Sequence, residues 1–254
     1  MRFASAILLI LTLFGCTSGD ESPAPPQEKS LLILCGITMV DPVRELMDVF
    51  AQEHGVRTAM SSGGSKDLMQ SIIVNRKGDI YFPGVESFID EAAQAGILGE
   101  RRQMGVNQAA LFVRKGNPEG FTGELAELAR PGIQVAIGHP DLGSVGKEAQ
   151  RILTDRGVYE QVASQAAMMA PDSKALTELL RDGKVDAVLN WKAVLFIGDN
   201  AAHMDMLPIL GGYAREHRLT MAVTSCARDP ELARAFLELC ASARGRAVFE
   251  RYGF

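Results

Sequence analysis

An α/β fold built on a mostly parallel sheet is what the sequence predicts, and three observations carry that prediction. Apolar runs of strand length alternate with stretches of helical spacing, in the order β-α-β-α-β-α through the first part of the folded body. The run "LLILCG" (31–36) is apolar without alternation, as a strand buried on both faces must be. The chain has 254 residues, 47% of them hydrophobic, enough for one large domain or two small lobes.

The elements follow in order. In "DPVRELMDVFAQEHG" (41–55), Asp41 suits an N-cap, Pro42 the first helical position and Gly55 the helix end. Val43, Leu46, Met47 and Phe50 form its apolar stripe. "VRTAM" (56–60) reads as a second strand. After "SSGGSKDLMQ" (61–70), Leu68, Met69, Ile72 and Ile73 keep helical spacing. "GDIYF" (78–82) is a third strand and "ESFIDEAAQAG" (86–96) a helix. "AALFVRKGNP" (109–118) is a strand ending in a turn. "GIQVAIGHPDLGSVGKEAQRIL" (132–153) reads as strand, long loop and helix. "APDSKALTELLRDGKVDAVLNW" (170–191) reads as capped helix, turn and strand. "HMDM" (203–206) alternates as a plain strand does, "RLTMAVTSC" (218–226) is a late strand, and residues 230–252 are helical.

A formal net charge of −5, with no basic stripe, excludes a nucleic-acid-binding surface built on bulk charge. Any anion must be held by local groups. The four cysteines, Cys16, Cys35, Cys226 and Cys240, show no CxxC and no Cys/His spacing for zinc. They read as small buried hydrophobes with one possible pair. HExxH, GxSxG and GxGxxG are all absent, so no metalloprotease helix, nucleophile elbow or dinucleotide fingerprint is present, and neither a metal nor a cofactor is expected.

In open α/β sheets ligands sit beyond the C-terminal ends of the strands. Four turns there carry hydroxyl, glycine or cap residues and lead into helices: "GITMVDP" (36–42), "SSGGSKD" (61–67), "GHPDLGSVGKE" (138–148) and "APDSKAL" (170–176). A helix start exposes unpaired N–H groups and about half a positive charge. Several starts aimed at one point make an anion site, which glycines let the backbone approach and hydroxyls complete with rotatable donors. A lining of donors alone would also reject protonated anions. Each loop, taken singly, is equally an ordinary capped turn.

The N-terminus has Arg2, an apolar run "ASAILLILTLF" (4–14) and then "LFGC" (13–16). The run is too short to span a bilayer and suits a signal peptide. "LFGC" resembles the lipobox of bacterial lipoproteins, with Phe14 a departure from its usual residue. That resemblance implies cleavage before Cys16 and lipidation of Cys16; an ordinary secretory signal is the alternative. "TSGDESPAPPQEK" (17–29) is polar and Pro-rich, a tether. Together these segments imply anchoring to a membrane from outside the cytoplasm, in the periplasm or at the cell surface.

From Leu31 to Phe254 the chain resembles the periplasmic molybdate-binding proteins, type II solute-binding components of ABC importers. The resemblance rests on the strand-loop-helix openings, "KGNP" (115–118), "IGHPDLGSVGKEA" (137–149) and the ending "VFERYGF" (248–254). It implies two α/β lobes, each a mostly parallel sheet flanked by helices, joined by strands crossing near 107–113 and 212–223. The expected division is a signal peptide at 1–15, a lipidated tether at 16–30, lobe I at 31–107 and 213–254, and lobe II at 108–212. By the same resemblance, Thr38 and Ser65 supply hydroxyls to a tetrahedral oxyanion, and Val145 and Ser173 supply backbone N–H groups. Trp191 stands where the family often has a tyrosine, and Gly64 and Lys66, which adjoin Ser65, are further candidates, although a helix lysine more often points to solvent. Molybdate or tungstate is the expected ligand, an ABC permease the expected partner, and the chain is expected to act as a monomer with no enzymatic activity. Phosphate, sulfate or arsenite are alternative ligands, arsenite through the Cys35 thiol. Presentation of the ligand to a sensor is an alternative role. A serine hydrolase using Ser65 or Ser144 is the distant alternative, since no base accompanies either serine in a familiar pattern.

Overall fold

The computed structural model describes residues 29–254; the apolar leader and Cys16 lie outside the described residues. Strand β1 (Ser30–Gly36) is the centre of the first sheet. Its inward residues Leu31, Ile33, Leu34 and Cys35 are at most 3% exposed, so both faces are covered, as the unbroken apolar run requires. A 3₁₀ turn (Ile37–Met39) leads from it into α1 (Val40–His54), which buries the predicted stripe Val43, Leu46, Met47 and Phe50 and ends at left-handed Gly55. Next come β2 (Arg57–Gly63), α2 (Ser65–Asn75), β3 (Ile80–Phe82) and α3 (Glu86–Gln94). β2 and β3 both pair with β1 in parallel, so the ends of β1, β2 and β3 that lead into helices all lie on one edge.

Strand β4 (Leu98–Arg114) is the long crossing element, far longer than the run at 109–118 predicted. Beyond it lie β5 (Val135–Gly138), α4 (Ser144–Arg156), α5 (Tyr159–Gln165), β6 (Met168–Ala170), α6 (Ser173–Arg181), β7 (Ala187–Trp191), α7 (Asn200–His203) and β8 (Met204–Leu207). The chain returns through β9 (Glu216–Thr224) and closes with α8 (Pro230–Ala241) and α9 (Ala243–Arg251). The strand order is β2-β1-β3-β9-β4-β7-β5-β6, with β8 on β4. β4 runs antiparallel to β9 as far as Gln108, then from Ala109 antiparallel to β7. One sheet thus carries two lobes. The first holds β1–β3 with α1–α3, α8 and α9; the second holds β5–β8 with α4–α7.

Two hydrophobic cores hold this arrangement. Leu31, Ile33, Phe50, Phe82, Phe236 and Phe249 pack between the first half-sheet and α1, α8 and α9. The other core runs unbroken from Leu68, Ile72 and Phe88 through Ala110 and Phe112 to Ile152 and Leu189. Continuous packing across β4 makes the crossing itself part of the interior.

Several local expectations change. Asp41 is not the N-cap of α1: the 3₁₀ turn feeds directly into the helix, and Val40 already has φ −58° and ψ −47°. Asp41 sits in the first turn and pairs with Arg44 at 2.9 Å. The helical stretch at 230–252 is two helices. Ser242, extended at ψ 168°, breaks it and caps α9 by accepting from Gly245 N. α5 and β6 escape sequence reading because α5 buries only Val162 and β6 exposes Met168 and Met169. β1 opens at Ser30, a residue assigned to the tether. Cys35, Cys226 and Cys240 are free thiols, so the possible pair does not form.

Candidate functional site

The loops at the helix-leading strand ends converge on one pocket between the lobes. Its lining comprises Gly36, Ile37, Thr38 and Met39 after β1; Gly63, Gly64 and Ser65 after β2; Gly84 after β3; Gly143, Ser144 and Val145 before α4; Asp172 and Ser173 before α6; and Trp191 at the end of β7. The cavity is about 20 Å³, more than the roughly 10–15 Å³ that one water needs, and a second of about 380 Å³ adjoins it through Ile37, Thr38 and Ser173.

From lobe I, Thr38 lies in the 3₁₀ turn, 4% exposed, and its Oγ1 donates to the Met39 thioether at 3.1 Å. A thioether is a weak acceptor, so the hydroxyl is easily recruited by an anion. Ser65 is the first residue of α2 and 2% exposed. Its Oγ accepts from Gly84 N at 3.1 Å, which turns the hydroxyl proton elsewhere. Tyr81 donates to Ser65 O at 2.8 Å, and Asn107 Nδ2 to Gly84 O at 3.3 Å, so buried side chains fix both loops. Burial, with the Glu91 charge second, pushes the Tyr81 phenol up, keeping it a donor.

From lobe II come two helix starts. The first α4 bond is Lys147 N to Gly143 O, leaving the amides of Ser144, Val145 and Gly146 without an intrahelical acceptor. In α6 the Asp172 carboxylate accepts from Ala175 N at 2.9 Å, and the first helical bond is Leu176 N to Asp172 O. The amides of Ser173 and Lys174 precede it. Asn190, fully buried, donates to Ser173 O at 2.9 Å and accepts from Trp191 N at 2.9 Å, tying α6 to the end of β7.

The two glycines of "SSGGSKD" separate in role. Gly64 has φ −61°, so no left-handed turn requires it. A methyl there would lie 2.6 Å from Leu142 O, across the cleft. Gly64 is small so that the opposite lobe can close on it. Gly63 has ordinary space around its Cα and no such constraint. The close backbone approach expected of glycines here is therefore required at Gly64 and not at Gly63. Gly84 shows the same feature, with a methyl 2.3 Å from Ser144 Oγ.

Thr38, Gly64, Ser65, Val145, Ser173 and Trp191 all line the pocket; Lys66 does not. Lys66 lies one residue past the start of α2 and presents its amide to the first turn, while its side chain stays outside the lining. Sequence reasoning missed Gly84, although "PGVES" (83–87) is a further strand-to-helix turn on the same edge. It also treated the lining as donors alone, whereas Met39 and Asp172 belong to it, the latter as a helix cap. Cys35 is fully buried in the first core, and burial holds its thiol protonated far above the usual range; it does not reach the pocket. Among the described residues, no hydrogen bond joins Ser65 or Ser144 to a histidine, lysine or carboxylate, so neither has a base in place.

Comparison with known proteins agrees with this geometry. The family model described as bacterial extracellular solute-binding protein matches residues 31–254. The molybdate-binding protein ModA of Mycobacterium tuberculosis is 23% identical over 254 residues, covering 97% of this chain and 94% of ModA. The periplasmic molybdate-binding protein of Azotobacter vinelandii superposes with a TM-score of 0.75 at 17% identity, over 88% of this chain and 97% of that one. The sulfate-binding protein SubI of M. tuberculosis superposes with a TM-score of 0.77 at 16% identity, over 89% and 86%. A family match across the whole two-lobed body, with its loops closing on one pocket, places the chain in the bacterial extracellular solute-binding protein family, with the type II periplasmic-binding-protein fold.

Proposed function

We propose that the chain captures a tetrahedral oxyanion outside the cytoplasm, molybdate or tungstate first, and delivers it to an ABC permease. The observation that supports this reading most is the convergence of hydroxyls from lobe I and helix starts from lobe II on a cavity of about 20 Å³. Among the described residues no lysine or arginine lines it, so the charge of the anion is met by oriented N–H and O–H dipoles. Thr38 and Ser65 donate through hydroxyls, Val145 and Ser173 through amides. Trp191 and Gly64 complete the wall. Lobe limits of 31–107 with 213–254, and 108–212, fit the exchange of β4 partners between Gln108 and Ala109. In this reading the chain is a monomeric binding protein and not an enzyme, anchored at the membrane through lipidated Cys16.

Sulfate is the second reading, because SubI is a sulfate-binding protein with a similar fold. An arsenite site built on Cys35 loses its support, since that thiol lies outside the pocket. Thermal-shift and calorimetric titration with molybdate, tungstate, sulfate, phosphate and arsenite separates these readings. Stabilisation by molybdate and tungstate above the others is expected, because a ligand that binds only the native state raises its stability. No stabilisation by any of the five would end the oxyanion reading.

A further inference from the structure

A second polar cluster lies beside Trp191, where α4 meets β9. Glu148, in the second turn of α4, is 4% exposed. Its Oε1 accepts from Arg151 Nη2 at 2.6 Å and its Oε2 from Arg151 Nε at 2.9 Å. His217, on β9 opposite Asn107 of β4, places Nε2 2.9 Å from Glu148 Oε2. That approach is off the N–H axis, so it is an ion pair by distance more than an aligned hydrogen bond. Such a contact depends on the imidazole carrying charge. The His217 ring also meets Trp191 edge-on, with centroids 5.9 Å apart at 77°.

His217 therefore touches two parts of the lobe II wall from the crossing strand: the helix whose start lines the pocket, and the indole beside it. We propose that His217 is a positioning residue of the binding site, holding α4 and Trp191 in the closed arrangement most firmly when its imidazole is protonated. The ligand arm of its test rests on the oxyanion reading; the spectroscopic arm does not.

The charged surroundings are those a histidine switch needs. From α4 they are Glu148, Arg151 and Asp155, with Lys147 taken up by Glu91 at 2.5 Å. From the return segment they are Arg215, paired with Asp155 at 3.3 Å, and the sequence neighbours Glu216 and Arg218. β4 presents neutral Asn107, and β7 presents Trp191. Arg151 additionally donates to Tyr213 O at 2.8 Å, so α4 and the return segment are already joined at a second point. Burial favours the neutral acid at Glu148, but Arg151 and His217 outweigh it and hold the carboxyl below its usual range. Glu148 thus presents an ionised carboxylate to His217.

The test uses the chain's single tryptophan. An imidazolium quenches a neighbouring indole, and the other three histidines make their contacts elsewhere: His54 with Phe50, His139 with Asp141 N, His203 with Asp199. Wild-type fluorescence is expected to fall in one transition as pH drops from 8 to 5, and His217→Gln to abolish that transition. Calorimetry with molybdate, a dianion throughout this range, is expected to show about fivefold tighter binding at the acidic end, the size of a modest coupling between two sites. His217→Gln and Glu148→Gln are expected to bind independently of pH, while Glu148→Gln keeps the fluorescence transition because the His217 ring still faces Trp191. A wild-type profile without a transition, a transition that survives His217→Gln, or a pH slope in affinity that survives it would each overturn the proposal. If no oxyanion binds at any pH, the oxyanion reading fails, and the fluorescence profile alone decides whether His217 acts on Trp191.

Discussion

Lobe I meets the pocket with side-chain hydroxyls, Thr38 and Ser65, whereas lobe II meets it chiefly with the starts of α4 and α6. The lobe I donors are oriented by other groups. Ser65 Oγ is aligned by Gly84 N, and that loop is fixed by Tyr81 and Asn107. The lobe II donors are backbone amides, oriented by the helices they begin and by how closely those helices pack. A point mutation deletes a hydroxyl with little else changed, whereas an amide N–H is deleted only by proline, which also fixes φ. Lobe I is therefore open to cleaner dissection than lobe II, where the packing that aims the helices is the other lever.

The largest effect is expected where that packing is tightest. A methyl on Gly146 would lie 2.1 Å from His139 O, so α4 runs against the loop after β5 with no space between. Gly146→Ala should lower stability by about 3 kcal/mol, the upper end of the usual cost of overpacking, seen as a shift in the urea midpoint. A wild-type midpoint would show that α4 can move away freely. Gly64→Ala places its methyl 2.6 Å from Leu142 O across the cleft. It should leave the melting temperature of the free protein nearly unchanged while weakening oxyanion binding by on the order of 3 kcal/mol. Equal losses in both measurements would mean that the contact belongs to the fold and not to closure.

On the oxyanion reading, Ser65→Ala and Thr38→Val each take one donor from a charged acceptor and should weaken binding by about 1–3 kcal/mol in calorimetry. Unchanged affinity in both would place the anion elsewhere. On the lobe II side, the lowered Glu148 pKa carries a sign. A carboxyl held below its unfolded value contributes stability above the ordinary carboxylate range and loses it as pH falls through the folded value. Urea midpoints should therefore drop on acidification below about pH 4.5, less steeply in Glu148→Gln; identical slopes would remove Glu148 from the acid response. The smallest effect is expected at Lys66. Lys66→Ala should change affinity by less than about 0.5 kcal/mol, because its side chain is outside the lining; a large loss would bring that charge into the site.

Much of this was legible in the residues. The apolar run of β1, the stripe of α1 and the cap at Asp172 each follow from local chemistry and appear as read. Four of the strand-to-helix turns were visible because hydroxyl, glycine or cap residues stand there. Gly84 was not, since a lone Pro-Gly turn looks the same whether or not a serine from another lobe rests on it. Asp41 misled because a good capping residue caps only if the backbone is extended there, and the preceding 3₁₀ turn leaves it helical. Lys66 looked like a ligand neighbour only while sequence adjacency stood in for direction.

The sequence by itself determined the alternation of strands and helices apart from α5, β6, α7 and the break at Ser242, together with the layered α/β class and the loops with donors to offer, because periodicity and capping are properties of neighbouring residues. Which of those donors face one another was decided only by tertiary structure. β4 changes partner between Gln108 and Ala109, and that exchange sets the second lobe across from the first. It brings Leu142 against Gly64, Ser144 against Gly84 and His217 between Glu148 and Trp191. Contacts between residues so far apart in the chain leave no local pattern, because each side chain satisfies its own segment whichever partner the fold supplies.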